Sequence, residues 1–226
     1  IDCFIPCRRK GDFLKNLNFL EINTIKLVEY TIQVSLKSNL FRDIYLLTDE
    51  KQIFKSLKKK YQRIKLIYIK STQRPFYEII EKLKKTKIIK NEEKDICVLL
   101  PNYPFKTDLT IKKIYNIYKK EKLNFIASAK KEYFFFYEKK NNRLKSLNYS
   151  TKIKNRKKIN PLYRLAGGIF FYNAKDKFMT LNLLDNKNIF FVNHHEAFGI
   201  YSLYDFITVS ALMDVDQSIL IKMSNQ

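Results

Sequence analysis

The chain reads as an α/β fold on a mainly parallel sheet, and three observations predict it. Short apolar runs alternate with helical patterns from Cys3 to Ala129. The spacing between runs suits right-handed crossovers rather than tight hairpins. The 226 residues, 46% of them hydrophobic, suffice for one domain with a full core.

Taken in order, Cys3 to Cys7 forms a buried first strand that empties into a loop, Arg8-Arg9-Lys10-Gly11 running to Lys15-Asn16. The stripe Ile25, Val28, Ile32, Val34 and Leu36 predicts a helix from Thr24 to Lys37, with Thr24 as its N-cap. Asp43 to Leu47 is a second strand ending at Thr48-Asp49, and a Lys-rich helix then reaches Tyr61. Ile64 to Ile69 is the third strand, and Pro75 suits the first turn of a helix ending near Lys87. Ile96 to Leu100 is the most apolar strand and so belongs at the centre of the sheet. Pro101-Asn102-Tyr103-Pro104 must end it, because that backbone cannot remain in a ladder. Thr107 caps a helix through Lys120, and Phe125 to Ala129 is the fifth strand.

The pattern changes at Tyr133. The aromatic run Tyr133 to Tyr137, the polar turn Lys139 to Asn142 and the weak alternation from Arg143 to Tyr149 predict a hairpin. Five consecutive aromatics exceed what a two-stranded ribbon hides, so one face needs a further surface, either the parent domain or a second subunit. A polar stretch follows from Ser150 to Asn160, and Ala166 to Tyr172 returns to the sheet with Gly167-Gly168 permitting close backbone approach. A short helix then precedes the strand Ile189 to Val192, and Ser202 caps a last helix through Leu212.

The formal net charge of +22 invites a nucleic-acid reading. The cations are mostly Lys, spread over nearly every helical segment, and the chain is rich in Ile and Asn with only 4 Gly and 5 Pro. That profile is one of compositional drift, and spread charge makes a solvated face. The aromatics sit mainly in core-like strands, so the interleaving of a stacking groove is absent. Cys3, Cys7 and Cys97 lie in apolar runs without a CxxC pair, as small buried hydrophobes do. With no membrane-length apolar run and no signal peptide before the first strand, a reducing cytoplasm is the expectation.

Ligands of such sheets bind beyond the carboxyl ends of the strands. The basic loop, Thr48-Asp49 and the Pro101 to Thr107 loop should therefore share one edge. Cations and backbone N–H groups leaving a first strand can hold a polyphosphate.

Laid end to end, the segments resemble the CMP-sialic acid synthetase family, the acylneuraminate cytidylyltransferases. IPCRRKGDFLKN is similar to that family's IPARxGSKxxPxKN, two residues shorter. Lys26 to Ile32, Ser38, Phe41 and Thr48-Asp49 follow its PLIxYTIxxAxxSxxFDxxxVSTD. Leu99 to Thr107 resembles LLQPTSPLRT, and Arg156 through Arg164 to Phe170 resembles RxxxxxxFRxNGAIY. The resemblance implies a Rossmann-like three-layer α/β/α nucleotidyltransferase fold over residues 1–226, with 131–163 as an inserted hairpin that joins a homodimer. It implies attack of the anomeric hydroxyl of a nine-carbon acidic sugar on the α-phosphate of CTP, assisted by Mg²⁺, releasing pyrophosphate. Arg8, Lys10, Gly11, Lys15 and Asn16 then stand at the nucleotide, with Arg8 and Lys15 neutralising charge during transfer. Asn102, Lys106, Arg156, Arg164 and Gly167 stand at the sugar, where a guanidinium fork suits a carboxylate.

The departures bear on the metal. The family's SIDIDTxxDF carries two Asp residues one apart, and the matching stretch here reads Ala197 to Phe206, with Gly199 and Tyr201 in those places. Asp205 is the surviving acid, and Asp214-Val215-Asp216 follows the last helix, too late to replace the pair. His194, His195 and Glu196 read as a surface turn, since adjacent strand residues face opposite ways. The segment RPxxLAxDT, which contacts the base in the family, is either missing or collapsed into Ser71 to Pro75, and Ala166 stands where the sialate type has Asn. Two other classes compete: a non-catalytic relative that binds nucleotide or sugar, and a basic nucleic-acid-binding protein. A glycosyltransferase of similar architecture is disfavoured by the lack of a DxD at the strand ends.

Overall fold

A computed structural model describes residues 1–9, 14–69, 95–149, 159–173 and 186–215. The positions Lys10, Gly11, Arg156 and Asp216 and the helix expected from Pro75 lie outside these residues, while a single 3-10 turn, Asn186–Asn188, stands directly before Ile189 where a short helix was expected.

The structure is a Rossmann-like α/β fold around a seven-stranded, mostly parallel sheet. In chain order the described elements are β1 (Asp2–Pro6), β2 (Glu21–Ile22), β3 (Ile25–Lys26), α1 (Leu27–Ser38), β4 (Asp43–Thr48), α2 (Lys51–Lys60) and β5 (Ile64–Tyr68). They continue with β6 (Asp95–Leu99), α3 (Asp108–Lys120), β7 (Phe125–Glu132), β8 (Tyr137–Lys140), β9 (Arg143–Ser146), β10 (Leu162–Asn173), β11 (Ile189–Phe191) and α4 (Leu203–Asp214). The sheet order is β11-β7-β10-β6-β1-β4-β5, which puts the apolar β6 at its centre. β1 lies parallel to β4 and β6, β4 to β5, and β11 to β7. β10 alone runs against its two neighbours, β6 and β7.

Strand alternation divides the core into two faces. Cys3, Ile5, Ile44, Leu46, Cys97 and Leu99 meet Val28 and Ile32 of α1, Leu57 of α2 and Ile111 and Ile114 of α3. Phe4, Leu47, Ile96, Val98 and Tyr172 make the cluster on the other face and are buried too, so the sheet is covered on both sides.

Three elements depart from the sequence expectation. α1 begins at Leu27, because residues 21–26 instead form the β2–β3 ribbon, which turns through Asn23 and Thr24 at φ 52° and 65°. Thr24 therefore sits in a turn and not at an N-cap. Only the last residue of the aromatic run enters the hairpin: β8 starts at Tyr137, and Asn148 holds the backbone before it. Its side-chain amide donates to Phe134 O at 2.8 Å and Asn160 O at 3.1 Å, and its Oδ1 accepts from Phe136 N at 3.1 Å. Those bonds add to a backbone bond there, from Leu147 N to Phe136 O at 2.9 Å. The turn between β8 and β9 is Asn141-Asn142, both left-handed, as a two-residue hairpin loop requires. Around it Tyr133, Phe134, Phe135, Leu144 and Leu147 are 43–68% exposed. Finally, β10 begins four residues before Ala166 and bulges: Leu165 pairs with Ala129 but Phe170 with Ala127, so five steps on β10 match two on β7. Gly167 and Gly168, at φ 81° and 62°, absorb the excess.

Among the described residues no helix is long and apolar enough to cross a membrane.

Candidate functional site

The carboxyl ends of β1, β4 and β6 gather four loops. Cys7 N donates to Leu47 O, fastening the first loop to β4. Arg9 N donates to Asp49 Oδ1 at 2.9 Å, and its guanidinium pairs with Glu50 Oε1 at 3.1 Å. The far stem returns through Asn16, whose backbone N donates to Arg9 O and whose own φ of 60° turns the chain. Asn18 Nδ2 adds a bond to Arg8 O. Leu14 and Leu17 then pack with Leu27, Phe105, Ile200 and Val209 of α4, so the first loop, the loop after β6 and the segment before α4 meet at one edge. Arg8 and Asn16 are partly buried there and Lys15 is exposed. Asn16 Oδ1 is buried and accepts no hydrogen bond.

The loop after β6 is braced from within. Lys106 is 4% exposed, and its ammonium donates to Thr31 Oγ1 at 3.0 Å, Leu100 O at 2.9 Å and Tyr103 O. Burial depresses its pKa to about 7. Expected at the sugar, Lys106 instead faces the interior, where three loop and helix acceptors use its three donors. Asn102 contributes its backbone: Ile200 N donates to Asn102 O at 2.8 Å, tying this loop to the segment before α4. Gly167 is buried, and a Cβ on it would come 3.1 Å from Ser128 Oγ and 3.2 Å from Val192 Cγ2. Its role here is to let the β10 bulge close on β7.

Next to the bulge lies a phenol pair that the sequence reading did not single out. The Tyr103 and Tyr201 hydroxyls are hydrogen-bonded to each other, with the rings edge to face at 6.1 Å. Glycines make the room: a Cβ at 168 would lie 2.7 Å from Tyr103 Cδ2, and one at 199 would lie 2.6 Å from Tyr103 Cε1. Burial, then the bond from Tyr201, pushes the Tyr103 hydroxyl's pKa up, while the nearby Arg164 guanidinium partly offsets them. Arg164 directs Nε and a terminal nitrogen at Glu132 Oε1, each at 3.0 Å, and Lys130 lies 3.6 Å from the same carboxylate's other oxygen. Burial and the Lys130 charge lower the His194 pKa. Cations, phenols and one acid thus share this corner, which can offer hydrogen bonds and positive charge to an anionic ligand. Two tyrosines 98 residues apart give no sequence signal of their pairing.

The acids of the region are engaged in structure. Asp205 Oδ2 accepts from Tyr201 N at 3.0 Å and Ser202 Oγ at 2.9 Å, while Ser202 Oγ accepts from Asp205 N, the N-cap that opens α4. Glu196 is buried, correcting the surface-turn expectation for that residue: its Oε1 accepts from Thr107 N and Oγ1 at the start of α3. His195 packs against Phe105 with ring centroids 3.8 Å apart and the planes tilted by 37°. Asp214 ends α4. Among the described residues no three His, Cys, Asp or Glu side chains converge as a metal site.

No family model matches the chain, and no curated protein sequence matches it. Solved structures do. CMP:2-keto-3-deoxy-manno-octonic acid synthetase complexed with CTP superposes with a TM-score of 0.66 at 14% identity, over 94% of this chain and 98% of that one. A 4-diphosphocytidyl-2C-methyl-D-erythritol synthase from Anaerococcus prevotii DSM 20548 gives 0.65 at 15% identity, over 95% and 96%. A second structure of a synthase of that name gives 0.66 at 10%, over 93% and 96%. At these identities the likeness is one of fold, and it spans nearly the whole length of each partner.

Proposed function

We propose that this protein is a cytidylyltransferase that moves CMP from CTP to an acidic sugar of the nonulosonic type, releasing pyrophosphate. One observation carries the reading: a near full-length likeness in fold to a synthetase complexed with CTP, in a chain whose loops gather at the carboxyl edge. In this reading the sugar's anomeric hydroxyl attacks the α-phosphate and the bond to the β-phosphate oxygen breaks. The proton leaves the attacking oxygen, and the charge grows on pyrophosphate. Arg8 and Lys15 offset that charge, and Asn16, with its vacant buried acceptor, reads the nucleotide. Arg164, beside the phenol pair, takes the sugar carboxylate. The exposed aromatics around the hairpin support a second copy of the chain as partner.

The test is pyrophosphate release from CTP with Mg²⁺ and a panel of nonulosonic acids, with 2-keto-3-deoxy-manno-octonic acid as a further acceptor. Release with a nonulosonic acid is expected; none with any acceptor ends the enzyme reading for those sugars. A second reading, a non-catalytic binder of nucleotide or sugar, is favoured by Gly199 and Tyr201 at the two carboxylate positions. Calorimetric CTP binding without turnover would select it.

A further inference from the structure

Positions 199 and 201 answer to the two carboxylates of the resembled family, and neither is built to hold a cation. At 199 the direction a side chain would take is filled, since a Cβ would lie 2.6 Å from Tyr103 Cε1 and 2.9 Å from Cζ. A carboxylate there would have to displace a ring that is 3% exposed. At 201 the side chain is a phenol bound to the phenol of Tyr103. Burial and that bond raise the pKa of the Tyr103 hydroxyl, and the two hydroxyls face each other. The next acid, Asp205, has Oδ2 committed to Tyr201 N and Ser202 Oγ at the start of α4. The protein's usual contribution to a Mg²⁺ site is one or two carboxylates, and the phenol pair supplies none. The donor set of this corner therefore does not fit the metal that the resemblance implies.

Resting on the nucleotide reading above, we propose that the Tyr103–Tyr201 pair stands in the place of a cation centre, and that the chain binds CTP through cationic side chains without a divalent ion of its own. A site of that kind favours the free nucleotide, which carries more negative charge than its Mg²⁺ complex.

Two measurements test this. CTP is titrated calorimetrically into the full chain in EDTA and again in excess MgCl2, and Mn²⁺ is titrated into the nucleotide-free protein and followed by EPR. The proposal expects an undiminished signal of free Mn²⁺ and no tightening of CTP by MgCl2 beyond about fivefold. Stoichiometric Mn²⁺ uptake by the protein, or CTP tightened more than about fivefold, overturns it. If CTP binds in neither buffer, the nucleotide reading fails by itself, and the Mn²⁺ titration alone decides whether the corner holds a cation.

Discussion

Lys106 shows how a residue can be legible in type and misread in role. Its place after Pro101-Asn102-Tyr103-Pro104-Phe105 is plain in the sequence, but a single chain carries no sign that its amine turns inward to Thr31, Leu100 and Tyr103. The same blindness hid the Tyr103–Tyr201 pair, which depends on Gly199 being too small to fill the gap. Burial has a consequence for pH. The folded-state pKa of Lys106 is about 7, against about 10.4 for a solvated lysine. Between those values the unfolded chain holds a proton that the folded one lacks, so this residue makes stability rise with pH across the window and adds no pH dependence below it. The increment is about 1.4 kcal/mol per pH unit. Urea melts of the wild type and Lys106→Met at pH 7 and 8.5, below the ordinary tyrosine range, isolate it. The wild type should gain on the variant as pH rises; parallel curves would show the amine to be solvated when folded.

At the scale of elements, capping was the most readable signal. Ser202 and Thr107 both cap as the sequence indicated, because a hydroxyl ahead of a helical stripe satisfies a local N–H and needs no distant partner. The start of α1 is not legible locally, since nothing near Thr24 announces the β2–β3 ribbon, and the backbone of the aromatic run depends on Asn148, twelve residues on from Phe136. Thr107 does more than cap: its Oγ1 accepts from Thr110 N at 3.1 Å and lies 3.1 Å from Glu196 Oε1. Thr107→Ala removes the cap and one donor to a buried carboxylate, and should cost about 1–3 kcal/mol. Thr107→Ser should restore most of it in the same denaturation series. The hairpin makes its own prediction. With Phe134, Leu144 and Leu147 exposed, light scattering should report a dimer, and Phe134→Glu with Leu147→Glu should shift it to monomer. A wild-type monomer at all concentrations would leave the aromatics as bare surface.

For the whole molecule, the central place of β6 was readable from its apolarity and the mainly parallel sheet from crossover spacing; the full strand order and the antiparallel β10 were not, since they depend on which edge each later strand joins. Charge acts at this scale as well. The chain carries 44 Lys and Arg against 22 Asp and Glu. Many of the cations in ion pairs are well exposed, including Lys37 with Asp108, Lys65 with Asp43 and Arg42 with Asp2. Such pairs are worth little each, whereas like-charge repulsion sums over the whole surface and opposes compactness. Salt weakens both, but the excess of cations makes repulsion the larger loss. Raising NaCl from about 0.01 to about 0.1 M shortens the screening length from about 30 to about 10 Å, so it removes repulsion between distant cations while leaving close pairs largely intact. The thermal midpoint should therefore rise by a few degrees over that range. A falling midpoint would mean that the ion pairs outweigh the net charge and that the Lys-rich surface is an organised network rather than compositional drift.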